Sequence, residues 1–354
     1  MRTKNFLIIL CCVIATSIVL IILGPTGQQN QSIKDIIDGT HQQFRELKEQ
    51  LRVSDEKKLD IDPKYLALLG FTQTIYNGTK SNFSIVTYAL KGQAASVILL
   101  AQNVALRLPT EPLMIYDLGL SEDDSRAVSG FCNSSKCSVI PYDLTLYPSY
   151  VSDEEMHAFR PLVIKDALAR AHTVLFIENS VRVRGGSRDV LDLVKIVTST
   201  GGSGVLGWVT RQAVSARTHP KMFDYFQVTK ESFLFLPMVE MDMVFFIDAP
   251  TVSERILLPW IKCTLTPECI HPIGAQSGGC KFNKKPQYRY SGCHGYDASA
   301  FNIVLGLTFG FDEKKYSIVE PNIFYIETLE QATKILENKR KNISDTSEHP
   351  FTEE

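Results

Sequence analysis

Residues 157–184 read HAFRPLVIKDALARAHTVLFIENSVRVR, and this segment indicates the class of fold. Its first half has apolar residues near a 3.6-residue period, and Pro161 suits the first turn of a helix. Its second half, Thr173 to Ile177, is an unbroken apolar run typical of a strand buried on both faces. The run ends at Glu178-Asn179-Ser180. Polar groups at the carboxyl end of such a strand are candidate site residues, and a solvated exit from the strand is the alternative.

The composition is that of a globular protein. The chain has 354 residues, of which 44% are hydrophobic and 21% charged, enough for one large domain or two ordinary ones. The formal net charge is -2. This balance gives no reason to expect nucleic acid or an anionic membrane surface as a partner.

The N-terminus predicts a membrane anchor. Residues 6–23 are uncharged and long enough to cross a bilayer. Arg2 and Lys4 precede this run, and no basic residue follows it before Lys34, so the positive-inside bias keeps residues 1–5 in the cytoplasm. We therefore expect a single-pass type II protein of the Golgi or ER membrane with a lumenal body. A cleaved signal peptide is the alternative.

Sequons and cysteines agree with a lumenal body. Six cysteines lie outside the apolar run, an even set suited to disulfides. Local pairing predicts Cys132–Cys137, Cys263–Cys269 and Cys280–Cys293, although other connectivities are open. A zinc site is the rival interpretation, but the paired short spacings of zinc sites are missing. The predicted N-glycosylation sites are Asn30, Asn77, Asn82, Asn133 and Asn342.

The rest of the chain divides into three parts. Residues 24–60 indicate a stem, whose apolar residues seven positions apart permit a homodimer. Within residues 61–330, apolar runs alternate with helical patterns, which predicts an α/β fold with a doubly wound, mostly parallel sheet. Residues 331–354 are predicted to be a charged, partly disordered tail. No Gly-x-Gly-x-x-Gly follows the first predicted strand, and the sequence has neither a Walker A nor a Gly-x-Ser-x-Gly motif.

Several short pieces resemble GT-A glycosyltransferases similar to glycosyltransferase family 8. The resemblance is closer still to an uncharacterised family of secretory-pathway membrane proteins with a nucleotide-diphospho-sugar transferase-like domain. It implies a GT-A fold, a nucleotide-sugar donor and a lumenal glycan or protein acceptor. The pieces are FRPLVIKDALARAHTVLFIENSVR at 159–182, IYDLGLS at 115–121, YPS at 147–149, THPKM at 218–222 and CHGYDAS at 293–299.

The resemblance also assigns site residues, with one departure from the family pattern. In GT-A enzymes two carboxylates hold a divalent cation that bridges the donor's diphosphate. The corresponding position in this chain keeps only one carboxylate, Glu178, so bound Mn²⁺ or Mg²⁺ is less strongly implied than in the family. Arg160 stands where the family has Lys and is expected to bind the diphosphate, with an ordinary salt bridge as the alternative. The expected nucleotide-sugar-binding residues are Arg160, Asp117, Ser180, Arg182 and His294.

Three carboxylates are candidates for acid–base chemistry. Glu240 and Asp242 fall in an apolar run, Met238 to Ile247, where strand alternation puts both on one face. Apolar neighbours raise the pKa of a carboxyl, which suits a general base that takes the proton of an acceptor hydroxyl. The alternative is an edge strand with one solvent-exposed face. Asp297 precedes a predicted helix and is either a site residue beside His294 or an N-cap. His294, as a lone histidine, is also open to a structural role.

Three functions remain open at this point. The chain is an active Golgi or ER glycosyltransferase, a catalytically degenerate relative that acts as a lumenal binding or partner protein, or an unrelated secretory hydrolase. The anchor, stem and lumenal body favour the first two. The single carboxylate at residue 178 separates them, and the missing nucleophile motif disfavours the hydrolase.

Overall fold

The computed structural model of this protein describes residues 59–199, 203–283, 285–319 and 322–347. They belong to a unit that begins at Leu59. The predicted cytoplasmic tail, the anchor and nearly all of the stem lie outside the described residues. Within those residues, no helix combines the length and the apolar character that a membrane span requires.

The strands of the described residues form a large sheet and a small one. They are β1 (Ser81–Ala89), β2 (Leu113–Asp117), β3 (Cys137–Pro141), β4 (Ala171–Ile177), β5 (Val181–Val183), β6 (Val205–Ala213), β7 (Pro237–Val239), β8 (Met243–Ile247), β9 (Ser317–Ile318) and β10 (Phe324–Ile326). The large sheet has the order β3-β2-β1-β4-β8-β6-β7, with β9 paired to β6, and β5 pairs with β10 in the small sheet.

One half of the large sheet is parallel. Strands β3, β2, β1 and β4 run in the same direction, and Ile85 of β1 lies opposite Leu175 of β4. Both of these strands are buried along nearly their whole length, as continuous apolar runs require in a sheet that is covered on both faces. The expectation of an α/β fold with a doubly wound sheet is confirmed here.

In the other half of the sheet the pairs β4–β8, β8–β6 and β6–β7 are antiparallel, and this half corrects one expectation. The run Met238–Ile247 forms two strands, β7 and β8, which pair with different stretches of β6. Val239 lies opposite Val209 and Phe246 opposite Val205, so the eight residues 239–246 face the five residues 205–209. The three extra residues, 240–242, form a bulge between β7 and β8, in which the Glu240 N–H still donates to the Trp208 carbonyl at 2.9 Å. The prediction that Glu240 and Asp242 share one face of a strand was wrong for this reason.

Helices cover both faces of the large sheet. Val174 and Phe176 of β4 point into one apolar cluster, whereas Leu175 and Ile177 point into another on the opposite face. The helices are α1 (Pro63–Leu68), α2 (Ala94–Arg107), α3 (Glu122–Phe131), α4 (Arg160–Arg170), α5 (Ser187–Ser199), α6 (Val214–Arg217), α7 (Pro220–Tyr225), α8 (Pro250–Val252), α9 (Leu258–Thr264), α10 (Pro267–Ile270), α11 (Asp297–Phe309) and α12 (Leu329–Ser347), with a π-helical turn, Ser253–Leu257, between α8 and α9.

The last helix extends the folded body beyond the predicted boundary at residue 330. Ala332 and Leu336 of α12 are buried in the same apolar cluster as residues of α2. Lys334 and Glu330 form an ion pair on its exposed side. The expectation of a charged tail from 331 thus overlooked an amphipathic helix, because its charged outer face dominates the composition.

All three predicted disulfides are confirmed. Cys132–Cys137 joins the end of α3 to β3, and Cys263–Cys269 joins α9 to α10. Cys280–Cys293 ties the loop that carries His294. Because the six cysteines are bonded to one another, they do not form the alternative zinc site.

Candidate functional site

The candidate site lies at the carboxyl edge of β1 and β4. Glu178 follows the last residue of β4, and Tyr88 lies one residue before the end of β1. The Glu178 N–H donates to the Asp242 carbonyl at 2.9 Å, which brings the 240–242 bulge to the same edge. This edge is where open α/β sheets bind ligands.

A buried ionic group braces the site. Arg160, the first residue of α4, donates from Nε to Glu178 Oε1 at 2.8 Å, and its Nη2 is 2.7 Å from the same oxygen. Its Nη1 donates to both carboxylate oxygens of Asp297, at 3.2 and 3.1 Å. The Tyr88 hydroxyl donates to Glu178 Oε2 at 2.5 Å. Arg160 and Glu178 thus meet at one crevice, as predicted, but they bind each other.

This group holds more negative than positive charge. One guanidinium faces two carboxylates that are almost entirely removed from water. Burial raises the pKa of Asp297 to about 7, although Arg160 opposes the rise. Burial also raises the pKa of Glu178, against the opposing effects of Arg160 and Tyr88. Asp297 is the first residue of α11, whose N-cap is Tyr296, so the N-cap alternative for Asp297 does not hold.

The surroundings of Glu178, where the resemblance implies a metal ligand, do not fit a divalent cation in this arrangement. Both carboxylate oxygens of Glu178 already accept hydrogen bonds from protein donors. Among the described residues, no cluster of three His, Cys, Asp or Glu side chains has the geometry of a metal site. The expected role of Glu178 as a Mn²⁺ or Mg²⁺ ligand therefore conflicts with its contacts, and we derive no step through a metal.

A cavity of about 210 Å³ opens beside this group and unites most of the predicted residues. Arg217, at the end of α6, also faces it and was not predicted. The signal for it was its position directly before the THPKM piece at 218–222. The charged and histidine residues around the cavity are Glu155, His157, Arg160, Arg217, Glu240, Asp242, His294 and Asp297.

The bulge residues are the partly accessible carboxylates of the cavity. Burial raises the pKa of Glu240, with the neighbouring Asp242 adding to the rise. Burial likewise raises the pKa of Asp242, and Arg160 and Arg217 oppose it. Arg217 Nη1 lies 3.7 Å from Glu240 Oε1, a loose ion pair. The Arg217 Nε is buried and has no hydrogen-bond partner among the described residues.

His294 borders the cavity, but both of its ring nitrogens are engaged. The His219 N–H donates to Nδ1 at 3.1 Å, and Nε2 lies 3.2 Å from the Ile270 carbonyl, to which it donates. Burial lowers the pKa of His294 to about 3, so the ring is neutral at physiological pH. This geometry fits the structural alternative, in which His294 fixes the chain after Arg217.

Three expected nucleotide-sugar-binding residues lie outside the cavity. Asp117 closes the turn after β2, where it accepts from the N–H groups of Gly119 and Leu120. Ser180 is half-buried in the turn between β4 and β5. Arg182 is buried and donates to Glu327 at 2.7 Å and to backbone carbonyls, so it links β5 to the segment before α12. The contacts of Arg182 are those of a structural salt bridge and do not leave it facing the cavity.

The predicted glycosylation sites are accessible where the structure describes them. Asn77, Asn82 and Asn133 are exposed. Asn30 lies outside the described residues, and the side chain of Asn342 is not described.

No protein-family model and no curated protein matches the sequence. Similar solved structures are glycosyltransferases. The bifunctional glycosyltransferase WbbM is 13% identical over 77% of this chain, which spans 46% of that protein, with a TM-score of 0.43. The galactosyltransferase LgtC, with donor and acceptor sugar analogues, is 12% identical over 72% of this chain and 95% of its own, with a TM-score of 0.39.

The mannosyltransferase PcManGT from Pyrobaculum calidifontis, in complex with GDP-Man and Mn²⁺, is 12% identical over 69% of this chain and 56% of its own, with a TM-score of 0.36. These TM-scores lie below 0.5. The function of this chain therefore has to be argued from its own site.

Proposed function

We propose that the protein is a glycosyltransferase that transfers a sugar from a nucleotide sugar to a lumenal glycan or protein acceptor. The observation that carries this proposal is the cavity at the carboxyl edge of the sheet, where Arg217, Glu240 and Asp242 face the same space. Sugar transfer by direct displacement uses a cation to stabilise the leaving diphosphate and a base to take the proton of the acceptor hydroxyl. The cavity offers both at the edge where α/β sheets bind ligands.

Arg217 is the group that we assign to the diphosphate. Its Nε is unpartnered within the described part of the chain, and its contact with Glu240 is loose, at 3.7 Å. Arg160, which the sequence indicated for this role, is held between Glu178 and Asp297. Because the contact with Glu240 is loose, releasing Arg217 when the donor binds costs little. The free guanidinium can then bind two phosphate oxygens in a bidentate manner.

Glu240 or Asp242 serves as the general base. The pKa of each carboxyl is raised by burial, which makes the ionised form a stronger base. The base takes the proton of the acceptor hydroxyl while that oxygen bonds to the sugar and the sugar–diphosphate bond breaks. The cavity of about 210 Å³ is smaller than the roughly 300–1,000 Å³ of most ligand pockets. It therefore takes the reacting sugar, while the nucleoside lies at its mouth.

The location in the secretory pathway is part of the same proposal. Residues 6–23 are the predicted signal anchor of a type II Golgi or ER protein. Three disulfides and three exposed sequon asparagines support a lumenal body, since disulfides persist in oxidising compartments.

A second candidate function is binding without transfer. The observation that favours it is the Arg160–Glu178 ion pair, which fills the slot where the resemblance implies a metal ligand. In that case the cavity binds a sugar or nucleotide sugar for a partner protein.

Incubation of the purified full-length chain with UDP- and GDP-sugars, with and without Mn²⁺, tests the proposal. We expect release of the sugar to water or to an acceptor. Glu240→Gln and Asp242→Asn identify the base, since loss of a general base lowers the rate by roughly 10²–10⁴-fold. Binding without turnover in the wild type supports the second candidate. Neither binding nor turnover with any donor contradicts both.

A further inference from the structure

A larger groove, which we call the Tyr288 groove, lies next to the candidate site. It consists of two cavities of about 910 and 400 Å³ that share Leu234, Pro286 and Tyr288 as walls. We propose that the Tyr288 groove binds an acidic oligosaccharide and is the acceptor site of the protein. The acceptor role rests on the function proposed above, whereas the binding of an acidic saccharide does not.

The rim of the Tyr288 groove is basic. Arg211 and Lys285 line the larger cavity, and Lys230 and Arg289 line the smaller one, where Glu231 is the acidic residue. All five are exposed. The ion pairs found among the described residues involve none of the four cations. Four cations face one carboxylate in a chain of net charge -2, so the groove is a local exception to the overall charge. Such a rim attracts a ligand with carboxylate or sulfate groups.

Two aromatic rings stand exposed at the groove. Phe235 is 84% exposed and Tyr288 is 37% exposed, and their ring centroids are 5.5 Å apart in an edge-on arrangement. Large apolar side chains that gather at a concave surface mark binding sites. A rigid ring offers a flat apolar face with little conformational entropy to lose, which suits the flat apolar face of a sugar ring.

Two buried hydroxyls border the smaller cavity without partners. Thr218 Oγ1 and the Tyr290 hydroxyl are shielded from solvent, and neither has a hydrogen-bond partner in the described part of the chain. Thr218 is fully buried. Buried polar groups are nearly always hydrogen-bonded, so two unpartnered hydroxyls at one cavity fit a ligand that supplies the missing bonds. Sugar hydroxyls both donate and accept hydrogen bonds, and they can therefore pair with a protein hydroxyl that acts either as donor or as acceptor.

The groove and the catalytic cavity share a wall. Arg217 faces the cavity, and the next residue, Thr218, borders the groove. The His219 ring packs edge-on against Tyr290 at 5.4 Å, and the His219 N–H bonds to His294. A saccharide held in the groove therefore has its binding groups one residue away from Arg217. This arrangement suits an acceptor whose end reaches the proposed base.

Calorimetric titration of the full-length chain with a hyaluronan tetrasaccharide, against neutral chitotetraose, tests the charge requirement. We expect the acidic saccharide to bind at least about tenfold tighter, with an affinity that falls as salt is raised. The double variant Lys230→Gln/Arg289→Gln should lower that affinity about tenfold or more, because each substitution removes a charged hydrogen-bond donor to the saccharide. The matched double variant Lys91→Gln/Lys314→Gln, at exposed sites away from the groove, should leave it unchanged.

Two isosteric variants test the hydroxyls. Thr218→Val and Tyr290→Phe each remove one unpartnered hydroxyl, so neither should lower stability, and each should weaken tetrasaccharide binding about two- to tenfold. Equal binding of acidic and neutral saccharides, or a loss limited to UDP or GDP binding in the charge variants, overturns the proposal. Saccharide binding without any sugar transfer would contradict the proposed function but not the binding of an acidic saccharide in the groove. Sugar transfer without charge-dependent saccharide binding would contradict the inference about the groove but not the proposed function.

Discussion

Replacing Arg160 with Met should destabilise the fold strongly. The guanidinium contacts Glu178 and Asp297, whose side chains are only 10% and 2% exposed. Methionine leaves both carboxylates buried without their cation, and removing one partner of a buried ion pair costs about 3–5 kcal/mol. A domain is stable by only about 5–15 kcal/mol, so the loss is a large fraction of the total. Since burial already raises the pKa of both carboxyls, the variant should regain stability as the pH falls and they become protonated.

Urea unfolding of the purified full-length chain, followed by tryptophan fluorescence, measures the effect. Trp260 reports on the site because its Nε1 donates to the Asp297 carbonyl at 2.9 Å. The triple variant Arg160→Met/Glu178→Gln/Asp297→Asn removes every charge of the group and should recover most of the loss. Arg126→Met, at an exposed ion pair, should cost less than about 1 kcal/mol. A loss below about 1 kcal/mol for Arg160→Met, together with weaker nucleotide binding, would refute the bracing role.

Three further outcomes are expected. The pKa of Asp297 is raised to about 7 from an ordinary value of 3.8, so its contribution to stability is complete below pH 3.8 and is lost as the pH rises through 7. The free energy of unfolding of the wild type, relative to Asp297→Asn, should therefore fall between about pH 4 and pH 7 and level off above that, and a flat difference would contradict the shift. Peptide mapping after alkylation should recover Cys280–Cys293 as a bonded pair, and free thiols at both positions would remove the support of the His294 loop. Protease added outside sealed microsomes should leave residues 25–354 intact, and digestion of that fragment would exclude the type II topology.

The fold could be predicted from the sequence where one periodicity dominates. The apolar run of β4 and the pattern of α4 specify a buried strand and the helix that precedes it, and both occur as expected. The prediction of a single strand over Met238–Ile247 was wrong because the apolar residues of this run continue across the bulge. The mismatch in length between β6 and its two partners, which makes residues 240–242 a bulge, depends on tertiary pairing.

The candidate site could be predicted in position but not in its contacts. The order of helix, strand and polar exit placed Arg160 and Glu178 at one edge of the sheet. Whether they bind a ligand or each other depends on side-chain directions that the sequence does not encode locally. Arg217 was missed because it lies just outside the THPKM piece, at the end of a four-residue helix, and has no distinctive spacing of its own.

The role of Arg217 is tested most directly by calorimetric titration with UDP- and GDP-sugars, with no added cation, into the wild-type chain and the Arg217→Gln variant. If Arg217 holds the donor's diphosphate, one of these donors binds the wild type, and the variant binds it about tenfold or more weakly, because a hydrogen bond to a charged group is lost. Arg126→Gln, at an exposed pair outside the cavity, should bind as the wild type does. Equal affinity in the wild type and Arg217→Gln, or no binding of any donor, would contradict the assignment.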